Sequence, residues 1–367
     1  MSTEPQSFDT EAVLRADAAN ESPGRIIWRR LRRQRIAMIG GIILIVLYGI
    51  ALFAAFIAPY GYEHQDRDRF FHRPTALRLA GWRLAVQFYE PRPGTFQYGA
   101  VPGKVQPLHF FVRGDKYRFL WLIPTTRHLF GTDDPQYPVY LLGTDQFGRD
   151  ILSRLLYGSQ ISLSIGLIGI LIRFSLAMAL GGISGYFGGP TDTVIMRLCE
   201  LIMSIPALYL ILSLRATFPE NLSSSKVYLL IIVILSLIGW TSSARVIRGM
   251  ALSLRERPFV LAARTLGQTN GQIILRHILP GTFSYVIVAA TLSVPYFILG
   301  EVVLSFLGVG IQEPQASWGL MLNAAQNTDY MKNYPWLLAP GAAIFVTVLA
   351  FNFLGDGLRD AADTKQN

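Results

Sequence analysis

Runs of about twenty apolar residues recur along the chain, and no other feature constrains its fold so strongly. A helix rising 1.5 Å per residue crosses ~30 Å of hydrocarbon in about that length. Six stretches qualify: 36–58, 161–185, 194–214, 227–244, 283–307 and 336–354. Because backbone polar groups in lipid must be satisfied internally, such segments are expected as helices. The fold class expected is therefore an all-α integral membrane protein with six transmembrane helices. Composition agrees, with 51% hydrophobic and only 16% charged residues, against about 25% charged in a soluble chain.

Sidedness follows from arginine. The first run begins after Arg25, Arg29, Arg30, Arg32, Arg33 and Arg35, and lysine and arginine gather on the cytoplasmic side of short loops. The run also exceeds the ~7–15 residues of a signal-peptide core, so 25–60 is expected as a retained first helix with a basic flank, and the polar stretch 1–24 as a disordered cytoplasmic tail. Counting spans from there places 186–193 and 245–282 inside, and 59–160, 215–226 and 308–335 outside. Segment 245–282 carries Arg245, Arg248, Arg255, Arg257, Arg264 and Arg276 against the lone acid Glu256, which supports the assignment. Both termini, including a tail at 359–367, are then cytoplasmic. The net charge of +9 belongs to these flanks, not to a nucleic-acid surface.

The outer segment 61–140 interleaves aromatic residues with proline and glycine. Short strands are expected near Leu108–Val112 and Tyr117–Leu122, within either a small folded external insertion or a wrap of loops. The rest, 141–358, forms the transmembrane domain.

Two stretches carry the chemistry. Residues 258–280 read PFVLAARTLGQTNGQIILRHILP, a basic, moderately amphipathic segment between two spans. Ala262, Ala263 and Leu266 fall at helical spacing, while Gly267 and Gly271 permit a sharp turn. This shape suits docking into a groove on another protein. Before the second span, Leu142–Arg154 holds Asp145 at a turn and Asp150 as the N-cap of an interfacial helix from Ile151 to Tyr157.

These residues carry a family resemblance. Ala262, Ala263 and Gly267, followed by His277, Leu279 and Pro280, resemble the coupling-helix motif of ABC importer permeases. Leu261 stands where a glutamate is usual, and His277 is usual in the peptide-type branch. Gly143, Thr144, Asp145, Gly148, Arg149 and Asp150 resemble the signature of dipeptide, oligopeptide and nickel importer permeases, specifically the second permease of the pair. Gly185–Gly189, Leu304–Gly308 with Pro314 and Ser317–Gly319, and Asn352–Asp360 fit the same family. A partial earlier copy of the signature, His128–Asp133, is what an insertion into a compact junction would leave. The resemblance spans about residues 25–60 and 128–362. It implies a pore shared with a homologous second permease, two ABC ATPase subunits docked at Leu254–Pro280, an external solute-binding protein that delivers a peptide, and a place in the bacterial inner membrane.

Enzymatic chemistry is not expected. Gly103-Lys104 is followed by Val105 and does not complete a phosphate-binding loop, so ATP and magnesium belong to partner subunits and no cofactor to this chain. Neither the five histidines nor the single Cys199 offers metal-ligand spacing or a nucleophile with its base. Polar residues within the spans need an account, because a mid-bilayer charge costs about 2.5–3.5 kcal/mol on insertion scales. Arg173, Glu200 and Glu301 either line the path or pair structurally, Arg173 with one of the glutamates. Pro206 and Pro295 are candidate hinges that interrupt the third and fifth spans. Rival readings are an ion-coupled secondary transporter using those three charges, a membrane-anchored sensor whose insertion is the active part, and the same importer type carrying nickel chelates or oligosaccharides.

Overall fold

The structure is a computed structural model that describes residues 23–80, 83–92, 98–134, 136–217, 219 and 222–363. Of the tail expected at 1–24, only Pro23 and Gly24 are among them, and they already belong to helix α1 (Pro23–Leu31). The helices that follow are α2 (Arg35–Leu52) and α3 (Ala54–Ile57), then α4 (Ile151–Phe187), α5 (Gly189–Ser204), α6 (Ala207–Ala216) and α7 (Ser224–Arg255). Beyond these come α8 (Pro258–Thr265), α9 (Asn270–Ile273), a π-turn (Ile274–Ile278), α10 (Leu279–Phe306), α11 (Trp318–Asn323), α12 (Thr328–Asn333) and α13 (Ala339–Ala362).

Among the described residues five helices are long and apolar enough to cross a membrane: Arg35–Leu52, Ile151–Phe187, Ser224–Arg255, Asn270–Phe306 and Pro335–Ala362. The stretch expected as the third span is instead two helices, α5 and α6. Pro206 separates them, and Ile205 before it takes the extended conformation that a following proline favours, at φ −91° and ψ 125°. Pro295 does not interrupt its helix, because α10 runs through it without a break.

Two other expectations change in length. The interfacial helix and the second span are one helix of 37 residues, about 55 Å long, so it stands well clear of ~30 Å of hydrocarbon. Helix α7 likewise continues to Arg255, past the expected end of its span.

Small residues bring the long helices together. A Cβ at Gly181 would stand 2.6 Å from the Ala244 carbonyl and one at Gly185 2.5 Å from that of Arg248, so this G-x-x-x-G face lets α4 touch the backbone of α7. Toward the other end of α4, Gly166 and Gly169 admit Val294 and Phe297 of α10. Ile165, Ile231, Ile232, Leu235, Phe297 and Leu304 close the core between these three helices. Helix α2 packs on α13 through Gly40 and Gly357 and leaves Ile42, Ile45 and Val46 exposed on its outer side.

Segment 61–140 contains two antiparallel sheets: β1 (Leu77–Ala80), β2 (Arg83–Pro91) and β3 (Tyr98–Pro107) in a meander, and β4 (His109–Phe119) with β5 (Ile123–Gly131) as a hairpin. The strands expected at 108–112 and 117–122 are not separate. Both fall mainly on β4, which is bulged between Arg113 and Tyr117, and the turn occupies 120–122. His128 on β5 is fully buried, with Nδ1 2.5 Å from the Ala58 carbonyl and Nε2 3.0 Å from that of Asp115. It ties the hairpin to the end of the first span.

Candidate functional site

The segment from Arg257 to Pro280 is built as a two-sided device. Helix α8 ends in a Schellman turn: Gly267 sits at φ +79°, its N–H donates to Arg264 O, and the Gln268 N–H donates to Ala263 O. Gly271, by contrast, lies inside helix α9 and makes no turn. That helix opens with a capping box, Thr269 and Gln272 each accepting from the other's backbone N–H. His277 closes the segment on itself, with Nε2 2.9 Å from Gln268 Oε1 and its ring against Phe259.

One face is anchored. Val260, Ala263, Ile273 and Ile278 are buried against Tyr186 and Ala251 near the ends of α4 and α7, and the Tyr186 hydroxyl donates to Asn270 Oδ1 at 2.8 Å. The opposite face is open: Phe259, Leu261, Leu266 and Leu275 are all exposed. The two alanines therefore divide. Ala263 is buried at 4% exposure, whereas Ala262 faces outward with Leu261. Leu279 is half-buried and Pro280 sits in the first turn of α10.

The second motif is a clasp at the start of α4. Gly143 and Gly148 adopt φ of +78° and +72°, and a Cβ at either would strike the backbone of His72 or Asp66. The Thr144 hydroxyl donates to Arg69 O and accepts from the His72 N–H, which fastens the strand-bearing segment to the helix start. Asp145 accepts from the Phe147 and Arg149 N–H groups and from Arg149 Nε at 2.7 Å. Arg149 Nη1 continues to Glu313 at 2.6 Å, and Arg154 Nη2 reaches the same carboxylate at 3.1 Å. The Trp336 indole donates to Thr144 O. One signature thus joins the segment after α3, the start of α4, the loop after α10 and the entry to α13. Sequence reasoning missed Arg154 and Glu313 as members, since their partners lie more than a hundred positions apart.

Asp150 caps α4, its carboxylate accepting from the Ser153 N–H at 2.8 Å and from the Ser153 hydroxyl. Burial pushes its pKa up to about 7, above the ~3.9 of an unfolded aspartate. A raised folded-state value favours the native form below the unfolded pKa, and that contribution is lost as pH rises from about 4 through 7. Asp150→Asn is expected to keep the cap and flatten the decline of thermal stability between pH 5 and pH 8. Asp150→Ala loses the cap, at about 1 kcal/mol. Melting curves of both variants at the two pH values check this.

The three intramembrane charges are not brought together. Arg173 pairs with neither Glu200 nor Glu301; its guanidinium donates to Ser243 at 3.1 Å and Ser242 at 3.3 Å on α7. Glu200 is exposed and pairs with Arg197 one turn away at 2.7 Å. Glu301 is fully buried and accepts from the Ser305 and Ser162 hydroxyls at 2.7 and 3.3 Å. Those serines in turn accept from the Ile311 and Trp318 N–H groups, so Glu301 pins the loop after α10 onto α4. Glu301→Gln is expected to be mild, while Glu301→Leu strands two buried hydroxyls at about 1–3 kcal/mol each. Detergent-solubilised stability of the two variants distinguishes them.

The family model of the binding-protein-dependent transport system inner membrane component matches residues 177–367, and that of the N-terminal TM domain of oligopeptide transport permease C matches 22–75. The chain belongs to this family. It is 33% identical over 338 residues to the dipeptide transport system permease protein DppC of Bacillus subtilis, covering 92% of this chain and 84% of that protein. The oligopeptide transport system permease protein OppC of Haemophilus influenzae is 43% identical over 62% of this chain and 70% of its own length. The glutathione transport system permease protein GsiD of Escherichia coli is 33% identical over 94% and 91%. The chain is thus a multi-pass inner-membrane component of a transport system and not an enzyme.

Proposed function

We propose that this permease forms half of the pore of an ATP-driven importer of peptides, paired with a homologous second permease, fed by an external binding protein and driven by two ABC ATPase subunits. The named relatives support peptides as the substrate class. One observation carries the mechanism: the segment at 257–280 is clamped on one face to the ends of α4 and α7 and apolar and open on the other. Closure of an ATPase pair around the open face would then push the clamped face, and so move two helices that outreach the bilayer.

In this reading the broken pair α5 and α6 supplies the sixth span, and both termini lie on the cytoplasmic side. Glu200 and Glu301 play no coupling role, being paired at the surface and buried among serines. The ion-coupled transporter is accordingly not favoured.

Affinity purification of the tagged chain from its native membrane tests the proposal. Recovery of a second permease and ATPase subunits, with ATP-dependent uptake of a labelled peptide after reconstitution, is the expected result. Uptake by the isolated chain that follows a proton or sodium gradient would overturn it.

A further inference from the structure

The tip of the β4–β5 hairpin breaks the chemistry of its own turn. The Leu122 N–H donates to Phe119 O at 3.0 Å, and the two central residues, Leu120 and Trp121, have φ of +48° and +61°. A turn with both central residues left-handed strongly prefers Asn-Gly or a similar pair, and bulky side chains there store strain. Here leucine and tryptophan occupy it. Trp121, Leu122 and Ile123 are then 62%, 81% and 61% exposed in succession, a pattern that water disfavours unless the surface has a partner.

The position of the tip identifies that partner. Helix α2 has 18 residues, about 27 Å, so with Arg35 at one boundary of the hydrocarbon its end at Leu52 and Phe53 reaches the other. Phe119, at the base of the turn, stacks on Phe53 with ring centroids 6.0 Å apart, and Phe111 meets Phe56 at 6.1 Å. Leu52 and Phe53 are themselves exposed, continuing the outward apolar side of α2 formed by Ile42, Ile45 and Val46. The tip thus extends a lipid-facing surface. Lys116 and Arg118 on β4 and Arg127 on β5 are exposed behind it, where cations meet anionic headgroups while the apolar tip lies below them.

We propose that the β4–β5 turn is a membrane-interface anchor: Trp121, Leu122 and Ile123 insert at the headgroup boundary beside the end of α2, and the basic residues behind them hold anionic phospholipid. Tryptophan is the residue enriched at that depth. The anchor fixes the strand-bearing segment against the bilayer, independently of any substrate.

The test uses the intact transporter in bilayers of phosphatidylethanolamine and phosphatidylglycerol. In a Cys199→Ala background, Leu122→Cys and, separately, Ile123→Cys carry an environment-sensitive fluorophore, with Lys104→Cys on the other sheet as the aqueous reference. At 122 and 123 the emission is expected to be blue-shifted and quenched by lipids bearing a quencher near the headgroup, whereas at 104 it is neither. Water-like emission at both tip positions would overturn the proposal. A blue shift without lipid quenching would overturn it too, because the tip would then be covered by protein.

Discussion

Ala262→Glu is expected to abolish ATP-driven uptake while leaving the permease in the membrane and paired with its partner permease. The Ala262 methyl lies on the open face of α8 beside Leu261. A carboxylate there would be desolvated without a partner on docking, at a cost of about 2–5 kcal/mol, or roughly 30- to 4,000-fold in affinity. The neighbouring Ala263→Glu is expected to behave differently. Ala263 is 4% exposed among Val260, Ile273 and Tyr186, so its substitution damages the permease's own fold and lowers the amount of chain in the membrane. Co-purification of ATPase subunits, normalised to chain recovered, separates the two. Equal recovery of ATPase with Ala262→Glu and with the unaltered chain would remove this face from the coupling mechanism.

That contrast also marks how far the sequence could be read. Helical spacing put Ala262 and Ala263 together on one small-residue face, yet residues one apart on a helix point about 100° away from each other. Which of the two turned inward depended on Tyr186 and Asn270, contacts no local pattern contains. Apolar length located five long helices among the described residues, because hydrocarbon thickness is a property of the solvent and needs no tertiary knowledge, but the stretch at 194–214 is two helices. Apolar length did not reveal that α4 and α7 continue past the bilayer, since polar helical turns are indistinguishable from loop by hydropathy alone. Pro206 and Pro295 looked alike in sequence, but one separates two helices and the other sits within a continuous one. The signature at 143–150 was visible as turn and cap residues. Its wider function as a clasp was not, because Glu313 and Trp336 reach it from distant loops. The rule that membrane charges pair offers Arg173 a glutamate as one of two readings, whereas in the structure its guanidinium donates to the Ser242 and Ser243 hydroxyls on α7.

Asp145→Ala is expected to produce the largest loss of stability in the chain. Asp145 caps its own turn through the Phe147 and Arg149 N–H groups and balances Arg149, whose side chain is 8% exposed, with Arg154 close by at 3%. Removing the carboxylate leaves two buried guanidiniums with the one carboxylate of Glu313 between them, and an uncompensated buried charge costs about 3–5 kcal/mol. At roughly 2.1 cal/mol/K of unfolding entropy per residue, that corresponds to a fall of about 4–6 °C in the unfolding midpoint. Glu313→Ala is expected to cost less, because its side chain is 43% exposed and water can take over part of its role. Asp145→Asn should fall between, retaining the turn contacts but not the charge. If the loss is electrostatic, replacing Arg149 by methionine in the Asp145→Ala background restores part of it, since a buried pair exchanged for apolar side chains is often tolerated. If the double variant is no more stable than Asp145→Ala, the turn contacts rather than the ion network hold the four segments together.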